Sequence, residues 1–309
     1  MASASVASSS PASFDKIDIS TETIIGKTNC KINIVELFSF LPVVQYEVIP
    51  KKRGRRPKDE KKLEPQVLKD GDIITLKMGD NIRGVDLKKK KSNNNNYFRN
   101  SITIVMSCDN KLINFKISKN GKFQFTGCKN DSHSHRCLSN IMGYIQSSPK
   151  KIISLPLNTR LEVIYLTVMA NINFSLGFCV NKENLDDYVN KNTDYYSLLE
   201  TTFGYTGVNI KIPLPNLDKI PITKMTLISN DRNEWTREDL TYNDYVVLLD
   251  EKEKVKESGK NRYNTFLVFQ SGNVILSSPH KECMRDTYFE FLRIINTCRN
   301  VIEEKIDQK

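Results

Sequence analysis

Cys128, His133, His135 and Cys137 form the spacing C-x4-H-x-H-x-C, and all four are zinc-ligand types. Two observations weigh against a metal there. The segment runs into residues of helical spacing, and the later part of the chain has no counterpart. The expectation is buried cysteines, exposed histidines and no metal or other cofactor. Only three histidines occur, with no phosphate-binding glycine loop and no nucleophile elbow, so an enzyme is not expected. The remaining chemistry is electrostatic. Forty-six Lys and Arg against 36 acids leave a formal charge of +10, which favours an anionic partner.

Positioning such groups needs a folded frame, and 309 residues with 39% hydrophobic content are enough for one. No apolar run reaches the ~18 residues of a spanning helix, so no membrane partner is expected. Residues 1–14 read as a disordered Ser/Ala tail without the apolar core of a secretory signal. Seven scattered cysteines fit a reduced intracellular protein better than a disulfide scaffold.

The frame is written twice. Residues 114–127, NFKISKNGKFQFTG, and 265–278, TFLVFQSGNVILSS, are each a strand, a Gly-centred turn and a strand, followed by helical spacing. Upstream, residues 17–29 read as a strand, and Ile34, Leu37, Phe38 and Leu41 as a helix capped by Asn33, with Glu36 as its reciprocal partner. Further strands are expected at 101–108, near 161–172, near 208–212 and at 244–250 (DYVVLLD), with an added helix around 183–191. Two repeats result, residues 15–155 with an insertion at about 50–96, and 156–309 with an insertion at about 181–235. Strand alternation places Phe266, Val268, Val274 and Leu276 on one face and Leu267, Phe269, Ile275 and Ser277 on the other. An apolar second face suggests a covering partner, or coverage by the insertions.

These blocks resemble the TATA-binding protein family. CKINIVELFSFL (30–41) resembles its first helix. SITIVMSCDNKLINFKISKNGKFQFTGCK (101–129) is similar to its strand block, and NTFLVFQSGNVILSS (264–278) to the matching block of its second repeat. The resemblance implies an α+β fold: a pseudo-twofold saddle whose two repeats form a curved antiparallel sheet with helices on the convex face. It implies a transcription initiation factor that binds the minor groove of A/T-rich double-stranded DNA and recruits a IIB-like factor and RNA polymerase. The alternative is a saddle-fold interaction module that has lost DNA binding. The Lys/Asn-rich insertions resemble the style of large-DNA-virus members, which implies a cytoplasmic viral factory; a cellular factor would act in the nucleus.

Carried over by residue, Phe269 matches a wedge that enters a base step, with Leu267, Ile275 and Ser277 beside it. In the first repeat Lys116, Gln124 and Thr126 face outward, and Ser101 and Ser118 occupy the wedge positions. Tyr242 and Tyr245 are candidates for the second repeat's other wedge. The family's groove-floor asparagines are matched by Thr21 and Thr167, followed by Thr23 and Met169. Lys122 and Lys129 fall at phosphate-contact positions, where the second repeat has Asn273 and His280. KKRGRRPK (51–58) resembles a minor-groove hook, and equally fits a nuclear-import signal or a solvated basic loop.

Overall fold

The structure, a computed structural model, describes residues 13–48, 66–87, 100–200, 207–214, 217–229 and 234–304. The basic segment 51–58, the Lys and Asn runs between 88 and 96, and most of the N-terminal tail lie outside these residues.

Strand β1 (Ile19–Thr28) and the short β2 (Lys31–Ile32) lead into helix α1 (Ile34–Phe40). Strands β3 (Ile73–Met78), β4 (Asn81–Gly84), β5 (Ser101–Cys108), β6 (Lys111–Ser118) and β7 (Lys122–Cys128) follow, then α2 (Asp131–Gln146) and β8 (Ile153–Ser154). The second passage begins with β9 (Glu162–Ser175), α3 (Lys182–Asn192), β10 (Tyr196–Glu200) and β11 (Gly207–Pro213). Next come β12 (Ile222–Ser229), β13 (Glu234–Leu240), α4 (Tyr242–Val247) and α5 (Glu251–Ser258). Strands β14 (Tyr263–Phe269) and β15 (Asn273–Ser278) and helix α6 (Arg285–Ile302) close the chain.

Two compact units divide within β1 and β9. The first holds residues 23–165 and 223–238; the second holds 1–22, 166–222 and 239–309. Neither unit is a contiguous stretch, unlike the sequential division read from the sequence. Strand order is β1-β7-β6-β5-β3-β4 in the first unit and β9-β15-β14-β11-β10 in the second. Pairing is antiparallel from β7 through β4 and throughout the second unit's set. The fold is therefore mixed α+β on antiparallel sheet, with the same element order used twice.

Alternation explains why one face of each sheet collects the helices. In the first unit Ile104, Phe115, Phe123 and Phe125 are buried with Leu138, Ile141 and Met142 of α2. In the second, Val208, Phe266, Val274 and Leu276 are buried with Tyr288, Phe291 and Ile295 of α6, and Phe266 stacks on Phe291 at 4.2 Å.

Three backbone hydrogen bonds close each unit in the same way. Thr28 N donates to Gly121 O (3.0 Å), Ile32 N to Lys119 O (3.0 Å) and Asn33 N to Ile152 O (2.8 Å). Leu176 N donates to Gly272 O (2.9 Å), Val180 N to Gln270 O (2.8 Å) and Asn181 N to Ile302 O (2.7 Å). Asn33 and Asn181 then cap α1 and α3, accepting from Glu36 N and Asn184 N. This clasp ties the end of the first strand, the strand-turn-strand turn and either the segment after the long helix (Ile152) or that helix's last residue (Ile302) into one knot. It also fixes equivalence between units: Gly121 with Gly272, Thr28 with Leu176, Lys119 with Gln270.

Several sequence expectations change. DYVVLLD is not a strand: Thr241 and Asp244 form a capping box that starts α4. The strand equivalent to β5 is β11, so α3, β10 and β11 belong to the repeated unit, and the inserted elements are β12, β13, α4 and α5 between β11 and β14. In the first unit β3 pairs with β5 inside the stretch read as an insertion. Glu36 does not complete a capping box; its carboxylate pairs with Lys150 at 2.8 Å.

The clasp sets a severe condition on its glycines. Gly121 (φ 71°) and Gly272 (φ 77°) are left-handed, and a Cβ at either would collide with backbone, the Cys30 or the Phe178 carbonyl oxygen. Gly121→Ala and Gly272→Ala are each expected to cost on the order of 2–4 kcal/mol in denaturant unfolding. A cost below about 1 kcal/mol at both sites would contradict the clasp.

Candidate nucleic-acid interface

The face of each sheet turned away from its helices is organised in cross-strand rows. In the second unit Leu198, Asn209, Leu267, Ile275 and Asn173 are successive partners across five strands. The next row is Tyr196, Lys211, Thr265, Ser277 and Asn171. Phe269 ends β14 opposite Gly207, and a groove of about 610 Å³ opens beside it, with Asn173, Ser271, Asn273 and Ile275 in its lining. Leu267, Phe269, Ile275 and Ser277 are half-buried, as expected for a face open to solvent but crowded by its own neighbours.

The equivalent row of the first unit is polar. Lys77, Thr103, Lys116 and Gln124 are successive partners. Thr126 lies opposite Asn114, with its hydroxyl donating to the Asn114 carbonyl at 2.8 Å. Ser101 faces Ser118 at the position that Gly207 and Phe269 take in the second unit. Lys122 and Lys129 are exposed at the two ends of β7. Each unit thus brings together its own set: Leu267, Phe269, Ile275 and Ser277 in one, Lys116, Gln124 and Thr126 in the other.

Other predicted positions fall differently. The clasp register pairs Thr21 with Met169 and Thr23 with Asn171, two residues away from the pairing of Thr21 with Thr167. Thr167 is 4% exposed and Thr23 9%, so neither hydroxyl is presented to solvent; Thr21 is half-buried and Met169 is exposed. Tyr242 is buried in α4, where its hydroxyl donates to Glu257 at 2.6 Å, and Tyr245 lies on the same helix. Neither is on the sheet. His280 sits off the strands and accepts from Glu282 N through Nδ1.

Three asparagines escape the sequence reading: Asn171, Asn173 and Asn209. The Oδ1 atoms of Asn171 and Asn209 are buried with no donor among the described residues. Amides carry both donors and acceptors, the groups needed to read the acceptors and the guanine amino group of a minor-groove floor. Their signal is alternation in GVNIKIP and ANINFS; it is obscured for Asn209 because 244–250 reads as the strand before β14, and for Asn171 and Asn173 because the first strands are aligned two residues off.

The C-x4-H-x-H-x-C segment spans the end of β7 and the start of α2. Cys128 and Cys137 are buried as expected, but His133 is also buried at 5% exposure, against the expected exposed histidine, because the first turn of α2 packs on the sheet. Among the described residues no group of three or more His, Cys, Asp or Glu is arranged to hold a metal. A hydrogen bond with Cys108, and then burial, push the Cys137 thiol far above its ordinary value, so it stays protonated. Burial pulls His135 below its ordinary value, with Asp131 opposing and Arg237 reinforcing, and its ring lies 4.3 Å from that of Tyr165.

No protein-family model matches the chain. It is similar to Uncharacterized protein 335L of Invertebrate iridescent virus 6, at 26% identity over 212 residues. The match covers 66% of this chain and 62% of that viral protein, less than two thirds of its length. Among solved structures the chain is similar to Methanococcus jannaschii TBP, at TM-score 0.43 and 13% identity, over 91% of this chain and 98% of that one. Among the described residues no helix is long and apolar enough to cross a membrane.

The two faces predict opposite responses to the same substitution. Phe266→Ala should cost about 3–5 kcal/mol, because it opens the core against Phe291. Phe269→Ala should stay within about 1 kcal/mol. Chemical denaturation of both variants checks this, and equal costs would contradict the assignment of faces.

Proposed function

We propose that the chain is a transcription initiation factor that binds the minor groove of A/T-rich promoter DNA, with a IIB-like factor and RNA polymerase as partners. The observation that carries the reading is the second unit's outward face. There an apolar pair, Leu267 and Ile275, is flanked in one row by Asn209 and Asn173 and bordered by Phe269. Apolar side chains suit a wide, shallow contact with sugars and base edges, and a flat ring suits entry into a partly unstacked step. The first unit contributes hydrogen-bonding and cationic groups at the equivalent positions, so the proposed contact is asymmetric, with a one-sided kink. A viral relative favours action in a cytoplasmic factory over the nucleus.

A second reading is an interaction module that has lost DNA binding. It is favoured by the wedge positions that lack rings, Ser101 and Ser118 in the first unit and Gly207 in the second. Titration against A/T-rich and G/C-rich duplexes at several salt concentrations separates the two. DNA binding predicts an A/T preference and an affinity that falls steeply with salt. Phe269→Ala should lower the affinity about tenfold or more and reduce the bend in a circular-permutation assay. Unchanged affinity and bend in that variant would remove the proposed wedge, and absence of any duplex preference would favour the interaction module.

A further inference from the structure

In the first unit a groove of about 590 Å³ lies beside the clasp, with Lys31, Lys119 and Lys151 around it and Ile32 and Ile153 in its lining. All three lysines are exposed, and among the described residues no carboxylate pairs with them. Their neighbour Lys150, by contrast, is paired with Glu36. The groove is held rigidly by backbone: Ile32 N on Lys119 O, Asn33 N on Ile152 O, and the pairing of β2 with β8.

The fold does not require these charges. At the equivalent positions of the second unit the same clasp carries Cys179, Gln270 and Val301, and Gln270 hydrogen-bonds Glu304. Three cations with no carboxylate partner among the described residues therefore stand in one copy of a shared frame. They also continue a path. Lys119 and Lys122 flank the single turn Ser118–Lys122, which is fixed by Gly121 N on Ser118 O and by Lys122 N on Ser118 Oγ. Lys122 opens β7 on the outward face, so positive charge runs from that face around the turn into the groove.

We infer that the Lys31–Lys119–Lys151 groove is a second phosphate-binding site, which holds the phosphodiester backbone of the duplex where it leaves the sheet face. Repeated phosphates along one strand suit several lysine point charges in series, and each neutralised phosphate releases counterions. Among the described residues the lining is lysine, asparagine, serine and aliphatic side chains, a set suited to a phosphate backbone rather than to base stacking. The site rests on the DNA-binding reading above, but acts through a different quantity. The groove sets the salt dependence, whereas Phe269 sets the salt-independent part.

The test measures duplex affinity against salt for the full chain, for Lys31→Gln/Lys119→Gln/Lys151→Gln and for Phe269→Ala, with circular dichroism confirming the fold. The triple variant should lower the slope of log affinity against log salt by about 2.7, at ~0.9 for each phosphate no longer neutralised. Phe269→Ala should leave the slope unchanged. An unchanged slope in the triple variant overturns the groove inference and leaves the wedge reading intact. A lowered slope with no effect of Phe269→Ala keeps the groove and removes the wedge. Binding to inorganic tripolyphosphate or poly-L-glutamate that the triple variant loses, with the duplex slope unchanged, would assign the groove to a free polyphosphate or an acidic protein and overturn the backbone site.

Discussion

Three backbone hydrogen bonds made twice hold this molecule's design together. In each unit the turn glycine must be left-handed, lie against a carbonyl and still offer its own oxygen to the end of the first strand. That condition aligns the strand, the turn and the chain at or after the end of the long helix. From this alignment follow the register of each unit's strands and the face on which each side chain emerges, since a slip of one residue would exchange the two faces. The inward residues agree between units because each set meets its own unit's long helix: Phe115 and Phe123 with α2 in one, Phe266 and Val274 with α6 in the other.

The outward residues are free of that requirement, and there the units part. Lys116 and Gln124 stand where Leu267 and Ile275 stand, Ser118 where Phe269 stands, and Lys119 where Gln270 stands. The difference is concentrated in one row, where Leu267, Ile275 and the bordering Phe269 are apolar and their counterparts Lys116, Gln124 and Ser118 are all polar. The proposed ligand, a DNA duplex, has hydrogen-bonding groove edges and a polyanionic backbone, so either kind of face has a chemical counterpart on it.

Much of this is legible in the sequence. The doubled strand-turn-strand unit, its glycines and its alternation define the inward and outward sets, and Phe269, Leu267, Ile275, Lys116 and Gln124 lie where alternation puts them. What is lost depends on partner identity. DYVVLLD has the composition of a strand, but the Thr241–Asp244 capping box turns it into a helix, a local signal that its apolar run outweighs in the sequence. Misplacing β14's partner hides Asn209 and moves the wedge candidate to Tyr242. The first-strand threonines are misaligned by two residues because period-two alternation is unchanged by such a shift. The clasp hydrogen bonds, which join residues far apart in sequence such as Thr28 with Gly121 and Asn181 with Ile302, distinguish the registers. The lysine groove is invisible for the same reason, since Lys31, Lys119 and Lys151 are brought together by tertiary closure alone.

Hydroxyl-radical footprinting of side chains, with and without A/T-rich duplex, tests most directly whether the divergent sheet faces are what meets DNA. Phe289 is 52% exposed on α6, on the helical side of the second unit, and serves as the internal reference. Loss of reactivity at Phe269, Leu267 and Ile275 with Phe289 unchanged is the expected result. Protection of Phe289 with Phe269 and Leu267 unchanged would contradict it.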